Sequence, residues 1–580
     1  MFASMLGFIL AGVVLIFIFI AIISAAISSS SDKEVAIDEN SVLEIKLENP
    51  LKERTSKSPF DDLNFDLSSK RDLGLDDILK NIEKAGKDND IKGIFLNLSS
   101  VNAGMAQLEE IRNALEIFKA SKKFIYAYSE DYDQANYYLA SVADSVFLNP
   151  EGSFNWHGFR TELMFMKGAL EKLEIEPEVI RHGKFKSAVE PFIAEKMSPE
   201  NRLQVSQLVH GLWNYYVGRV SQSRHAEESS FMDAAYNMSV RTPEKAVALK
   251  FVDRLAYEDE VQSTLKKATG LEEKDKVKFI ALKKYNKVKG TSKPFSNQKI
   301  AVIYAVGSIG SGDGDENSIG SDKIAATIRK ARLDTTIKAI VLRVNSPGGS
   351  ALASDVIWRE MELAKKSKPV IASMSDVAAS GGYYISCGAD TIVCEPTTIT
   401  GSIGVFGLLF NAQKLLNNKL GLTFDTVKTG RFAGIGSPTR PLSPEEREII
   451  QEEVERIYDT FISHVSEGRN ISKAEVDSMG QGRVWSGIDA KRLGLIDVLG
   501  GLNTAIEIAA KKAGLDAYRT IALPESEDMI RKLIEDFSED ASIEAARKNF
   551  GVAYDYYSEV HSMLNQQGVL ARMPFDINIY

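Results

Sequence analysis

The chain has 580 residues, too many for one core, and a globular composition with 44% hydrophobic and 26% charged residues. Its net charge of −10 argues against nucleic acid or an anionic membrane surface as the main partner. Two cysteines, Cys387 and Cys394, and 6 scattered histidines make neither a disulfide framework nor a metal site, so no metal and no cofactor is expected.

Residues 2–27 carry no charge, and their apolar run matches the ~20 residues that cross a bilayer. A cleaved signal peptide would start basic and have a shorter core, so a retained transmembrane anchor is expected over residues 1–30. No Lys or Arg precedes the run, which leaves the positive-inside rule nothing to orient it by. A tether and first strand follow over 31–72, with alternation at Leu43-Glu44-Ile45-Lys46-Leu47 and a polar, exposed loop around 50–70. A first α/β domain is expected over 73–270, a lysine-rich linker or edge element over 271–298, and a second domain over 299–515. A helical tail, with an acidic helix from residue 525, fills 516–580.

The two domains are copies of each other. Ile91-Lys92-Gly93-Ile94-Phe95-Leu96 recurs as Ile337-Lys338-Ala339-Ile340-Val341-Leu342. At the same offset Tyr137-Tyr138 meets Tyr383-Tyr384, Pro150 meets Pro396 and Gly158 meets Gly404. With a small slip, Gly183-Lys184-Phe185 meets Gly430-Arg431-Phe432, Ser198-Pro199-Glu200 meets Ser443-Pro444-Glu445, and Val252-Asp253 meets Ile496-Asp497. Within each copy, apolar strands alternate with helical periodicity, which implies an α/β fold with parallel strands. In the second copy the strands are expected over 337–344 and 370–374. The helix between them spans 351–366 and buries Ala351, Val356, Ile357, Met361 and Leu363.

Where the copies differ, chemistry is the expected reason. Ser402 stands among glycines in Thr400-Gly401-Ser402-Ile403-Gly404, where a tight turn can present a nucleophile; its first-half equivalent is Trp156. The pair Gly348-Gly349 corresponds to Asn102-Ala103. Its place between a strand and a helix suits backbone N–H groups that hold an oxyanion, together with the N–H of Ser402. Conversely, Lys186 corresponds to Ala433. A serine hydroxyl needs a base, and a lysine desolvated beside Ala188-Val189 can serve. Lys184 is the rival lysine, but its equivalent is Arg431, which suits a shared surface role. His157 and His182 are the nearest histidines for a triad. The stretch 307–314 is glycine-rich but flanked by Asp313, Asp315 and Glu316, which would repel phosphate; a flexible loop at the rim of the site is expected.

Together Ser346-Pro347-Gly348-Gly349, Ala379-Ser380-Gly381-Gly382-Tyr383-Tyr384, Thr400-Gly401-Ser402-Ile403-Gly404 and Phe185-Lys186-Ser187-Ala188-Val189-Glu190-Pro191 resemble the signal peptide peptidase A family in its long, tandem-repeat form. That resemblance spans roughly residues 45–515 and places the chain in the Clp/crotonase superfamily. It implies two tandem βαβ superhelix domains after a transmembrane helix. It also implies Ser402 as nucleophile, Lys186 as general base, and an oligomeric bowl at the extracytoplasmic (periplasmic) face of the bacterial inner membrane; alternating first and second halves that close into a ring are expected to make it a homotetramer. The substrates would be apolar signal peptides left after preprotein cleavage. Each nucleophile is expected to meet a base of its own chain. Two alternatives stand beside this reading: a crotonase-like acyl-CoA enzyme, which would need neither Ser402 nor an anchor, and a catalytically dead membrane-tethered scaffold.

Overall fold

Apolar runs such as Ala339–Leu342, within the strand Ile337–Ser346, must be covered on both faces, and strands of this kind form the centres of two parallel sheets. The computed structural model describes residues 37–55, 73–288, 296–315, 317–525 and 568–573. The expected anchor at 2–27 and nearly all of the acidic helix lie outside the described residues. Among those described, no helix is long and apolar enough to cross a membrane. In the first domain the parallel strands run in the order Arg254–Leu255, Ser145–Phe154, Phe124–Tyr132, Ile91–Asn97, Ser41–Ile45, Phe279–Ala281. Ser41–Ile45 is thus an inner strand. Its side chains are buried on both faces rather than alternating. The second domain repeats the plan. Ile337–Ser346 lies between Lys299–Val306 and Val370–Ala379, and Arg519–Leu523 takes the edge position that Phe279–Ala281 holds in the first.

Positions shared by the two halves have structural reasons. Ser198 and Ser443 cap the N-termini of Pro199–Arg224 and Pro444–Arg469, each of 26 residues, with proline in the first turn and an acidic residue behind it. The hydroxyls of Tyr137 and Tyr383 donate to the carbonyls of Phe251 and Leu495. Asp253 accepts from the Val146 N–H and pairs with Arg224; Asp497 does the same with Ile392 and Arg469. The helix Ala351–Lys365 buries Ala351, Ile357 and Met361 as expected. Its inner stripe runs through Ala353, Ile357, Met361 and Ala364, which leaves Val356 exposed and Leu363 only partly covered.

A third sheet joins segments from both halves. Its order is Ser318–Gly320, Ser308–Gly310, Gly348–Ser350, Gly568–Arg572, Phe406–Asn411, Glu176–Arg181. The last of these belongs to the first domain and pairs antiparallel with Phe406–Asn411 of the second. The stretch 307–314 is therefore not simply a loop. Ser308–Gly310 is a strand, and Ile309 pairs with Gly349.

A buried ionic cluster fixes the domains to each other. Arg343 of the second domain donates to Glu53 and Glu110 of the first, and to Ser373 and Ser375. Asp376 accepts from the N–H groups of Ala106 and Gln107, at the start of the helix Met105–Lys119. Glu53 lies in the segment expected to be an exposed loop and is instead among the buried residues. Composition marks that segment as polar; it does not say that an arginine nearly three hundred residues away needs a carboxylate.

Candidate active site

Ser402 sits directly after Ile399–Gly401, at φ 48°, a left-handed conformation that a serine adopts at a cost of about 1–3 kcal/mol. The surroundings hold it there. Its N–H donates to the carbonyl of Arg483 at 2.7 Å, and Gly401 takes φ 77° beneath the indole of Trp485. This corrects one expectation: the Ser402 N–H is already committed and is not turned toward an oxyanion.

Lys186 comes from the other half. The strand Glu176–Arg181 carries the chain across to the second domain. There the Phe185 N–H donates to the carbonyl of Gln481, and the His182 N–H to that of Val405. A Cβ on Gly404 would lie 2.7 Å from Gly482 Cα and 3.2 Å from the lysine Cδ, so the glycine after the Ser402 turn makes room for the Gly482 backbone and the lysine stem beside it. Lys186 Nζ ends 3.1 Å from Ser402 Oγ, 3.3 Å from the Ser402 carbonyl oxygen and 2.9 Å from Ser380 Oγ. Ser402 and Lys186 are both fully buried, and both belong to one chain.

Burial alone pushes the Lys186 ammonium well below the ordinary lysine range. Every hydrogen-bond partner of its nitrogen is an uncharged oxygen, so nothing restores the charge that desolvation removes. A neutral amine has two N–H groups and one lone pair. Donating to Ser380 Oγ and to the Ser402 carbonyl leaves the lone pair for the Ser402 hydroxyl. Ser380 in turn stands 3.4 Å from the Gly404 carbonyl, at φ 55°. Ser380 belongs to the segment Ala379-Ser380-Gly381-Gly382-Tyr383-Tyr384, whose sequence alone names no partner for its hydroxyl. The repeat register could have found it, since its first-half equivalent is Gln134.

Trp156, the equivalent of Ser402, is a core residue whose indole N–H donates to the Phe231 carbonyl. Ala433, the equivalent of Lys186, is exposed, as is Lys184. Neither histidine serves the serine. His182 pairs with Glu455 and stacks on Tyr458, while exposed His157 has its Nδ1 against the Gly158 carbonyl. Gly348 and Gly349 take φ 99° and 157° beside the site, and the Gly348 N–H donates to Ser346 Oγ at 3.1 Å.

Gly482 is the tightest point of the lysine's support. It has φ 83°, and a Cβ there would meet Lys186 N, Cα and Cβ at 2.6 Å. The Gly482 carbonyl also lies 3.3 Å from Ser402 Oγ. Gly482→Ala is expected to push the lysine off the serine and lower kcat about 10²-fold with little change in KM. Steady-state kinetics on one peptide checks this, and an unchanged kcat would show that the segment yields.

A buried serine hydrogen-bonded to a lysine whose charged form burial disfavours, on two α/β domains, is the equipment of a serine hydrolase that works without histidine. The pattern described as Peptidase family S49 matches residues 117–272 and 362–516, one stretch in each half, and the chain belongs to that family. It is 39% identical to "Protease 4" of Salmonella typhi, over 78% of this chain and 75% of that one. It is 36% identical to "Serine protease SPPA, chloroplastic" of Arabidopsis thaliana, over 78% and 68%. It is also 36% identical to "Putative signal peptide peptidase SppA" of Enterococcus faecium, over 38% and 65%. The protein is a serine protease.

Proposed function

We propose that this protease is a membrane-anchored Ser/Lys endopeptidase that degrades apolar peptides, cleaved signal peptides among them. The observation that carries the reading is the 3.1 Å approach of Lys186 Nζ to Ser402 Oγ in a fully buried setting without a charged partner. Ser402 Oγ attacks the peptide carbonyl while the Lys186 lone pair takes its proton. The tetrahedral oxyanion is held by backbone N–H groups at Gly348 and Gly349, the Gly348 N–H first leaving Ser346 Oγ, and Lys186 then passes the proton to the leaving amine. Ser380 aims the lysine. Water repeats the sequence on the acyl-enzyme.

The uncharged run at residues 2–27 supports an anchor, and with it a site at the extracytoplasmic face of a bacterial inner membrane. The name of the Enterococcus relative supports signal peptides as substrates. The glycine strand–turn–helix at 346–351 fits domains of the Clp/crotonase kind, and a ring of four chains would enclose the sites.

A fluorophosphonate probe is expected to label Ser402, and a leucine-rich peptide to be cut at least about tenfold faster than an acidic one of equal length. Labelling elsewhere would remove the nucleophile assignment, and equal cleavage rates would remove the apolar preference.

A further inference from the structure

We propose that the cavity around Arg483 is a carboxylate-binding subsite that holds the free C-terminal end of a peptide substrate. The proposal rests on the protease reading above and gives that site a means of telling released peptides from uncut chains.

The cavity, of about 650 Å³, lies between the helix Pro199–Arg224 of the first domain and the strand Val484–Ser486 of the second. That strand runs antiparallel to Ile399–Gly401, which leads directly into Ser402, and Trp485 stands opposite Thr400. The Arg483 guanidinium lies 4.1 Å from the centre of the Trp485 ring and 4.9 Å from that of Phe185, the residue before Lys186. Leu208 and Val484 line the cavity and also pack with Ile399 and with Ala379, the residue before Ser380. The cavity therefore shares its walls with the segments that carry the dyad.

Its charge is unbalanced. Among the described residues no carboxylate forms an ion pair with Arg483, whose side chain donates to Gln207 Oε1. Asp489, the one acid of the lining, is already engaged: its carboxylate accepts from Arg492 at 3.1 Å and from Ser486 Oγ at 3.0 Å. Burial lowers the Arg483 guanidinium from its ordinary range, and the pull of Asp489 does not restore it. The group still carries its charge at any working pH, and a planar fork with donors to spare fits the two oxygens of a carboxylate.

The repeat separates this cation from the needs of the fold. Thr242 and Ser486 cap the equivalent helices Pro243–Ala248 and Gly487–Arg492, which sets the register. Arg483 then falls opposite Ser239, and Trp485 opposite Arg241. On the long helices, Gln207 and Asn214 fall opposite Glu452 and Asp459. The copy that keeps the serine has gained a cation, and the helix facing it carries amides where its counterpart carries acids. An acid at 207 would neutralise Arg483; glutamine leaves it for a ligand. A peptide released by an earlier hydrolysis ends in a carboxylate that an uncut chain lacks at that point. One carboxylate on an apolar peptide matches one unbalanced cation beside the apolar wall of Leu208 and Val484.

The test uses one leucine-rich peptide in three forms: with a free C-terminal carboxylate, with a C-terminal amide, and as an amide whose last residue is glutamate. The full chain is expected to cut the free acid with a KM about tenfold below that of the plain amide and with similar kcat. Gln207→Glu hands Arg483 an internal partner and is expected to bring the two KM values together. Arg483→Gln should do the same, read as the acid-to-amide ratio so that any loss through its support of Ser402 cancels. Equal KM values in the wild type, or an unchanged ratio in a Gln207→Glu protein that keeps its melting temperature, would overturn the proposal. A glutamate-ended amide that gains as much as the free acid would overturn the assignment to the chain end. Fluorescent forms of the acid and the amide, titrated against Ser402→Ala, separate the subsite from the dyad reading. A preference for the acid that Gln207→Glu removes supports the subsite whatever residue does the chemistry, and equal dissociation constants overturn it.

Discussion

Lys186→Met is expected to reduce peptide hydrolysis by ~10³-fold or more and, at the same time, to make the protein more stable at neutral pH. Both effects come from one cause. Burial holds the folded-state lysine well below its ordinary range, while the unfolded chain binds a proton up to about pH 10. Between those two values the unfolded state carries the extra proton, so native stability rises with pH across that window and is depressed below it. Methionine fills much the same volume without that proton linkage. The gain in melting temperature should therefore be full below the lowered folded-state lysine value and should shrink as pH rises toward the ordinary lysine value. Ser402→Ala should be equally inactive but show no such pH-dependent gain. Mixed Ser402→Ala and Lys186→Met chains should stay inactive, since each dyad forms within one chain. In the wild type, kcat/KM should climb with pH through the lowered lysine value, on a limb that mutation of His182 does not move. A Lys186→Met protein with near-normal turnover, or with lower stability at pH 7, would remove the lysine from the role of a buried neutral base.

The pairing of Ser402 with Lys186 is legible because the chain contains its own comparison. Two copies of one domain separate residues that both folds need from residues that only one copy keeps. Ser198 and Ser443, Tyr137 and Tyr383, and Asp253 and Asp497 recur because caps, buried hydroxyls and strand-end carboxylates recur. Ser402 and Lys186 do not recur, and the structure brings them together. What stayed hidden depends on contacts without local pattern. The commitment of the Ser402 N–H to Arg483 is set by a loop some eighty residues on. The strand at 568–573 is short and ordinary in composition, and its place beside Gly348–Ser350 is a matter of tertiary pairing. Glu53 reads as one more polar residue in a polar stretch. Periodicity reports which face of an element is apolar; it cannot report which distant charge a buried carboxylate meets.

That carboxylate sets the second large effect. Arg343→Ala is expected to destabilise the protein by ~3–5 kcal/mol and to abolish activity with it. In the native cluster, burial pushes the Glu53 carboxyl up, but Arg343 and the hydrogen bonds from Ser375 and Gln107 outweigh burial and hold it below its ordinary value. Glu110 and Asp376 are raised by burial and by the neighbouring negative charge of Glu53, Asp376 to about 6. Without the guanidinium, Glu53 and Glu110 would face each other in a dry interface, and each would resist ionising. Activity depends on that interface because Lys186 belongs to the domain it holds, and a shift of about 1 Å at the dyad costs about 10²-fold. The pH dependence has a definite sign. Carboxyls raised in the folded state keep the protein most stable below their unfolded values and weaken it as pH rises through their folded ones. The deficit of Arg343→Ala should therefore shrink on moving from pH 8 to pH 5. Arg343→Met combined with Glu53→Gln and Glu110→Gln removes the charges together and should recover most of the melting temperature. A single Arg343→Ala that melts within a degree or two of wild type at pH 8 would mean that the cluster does not hold the domains together.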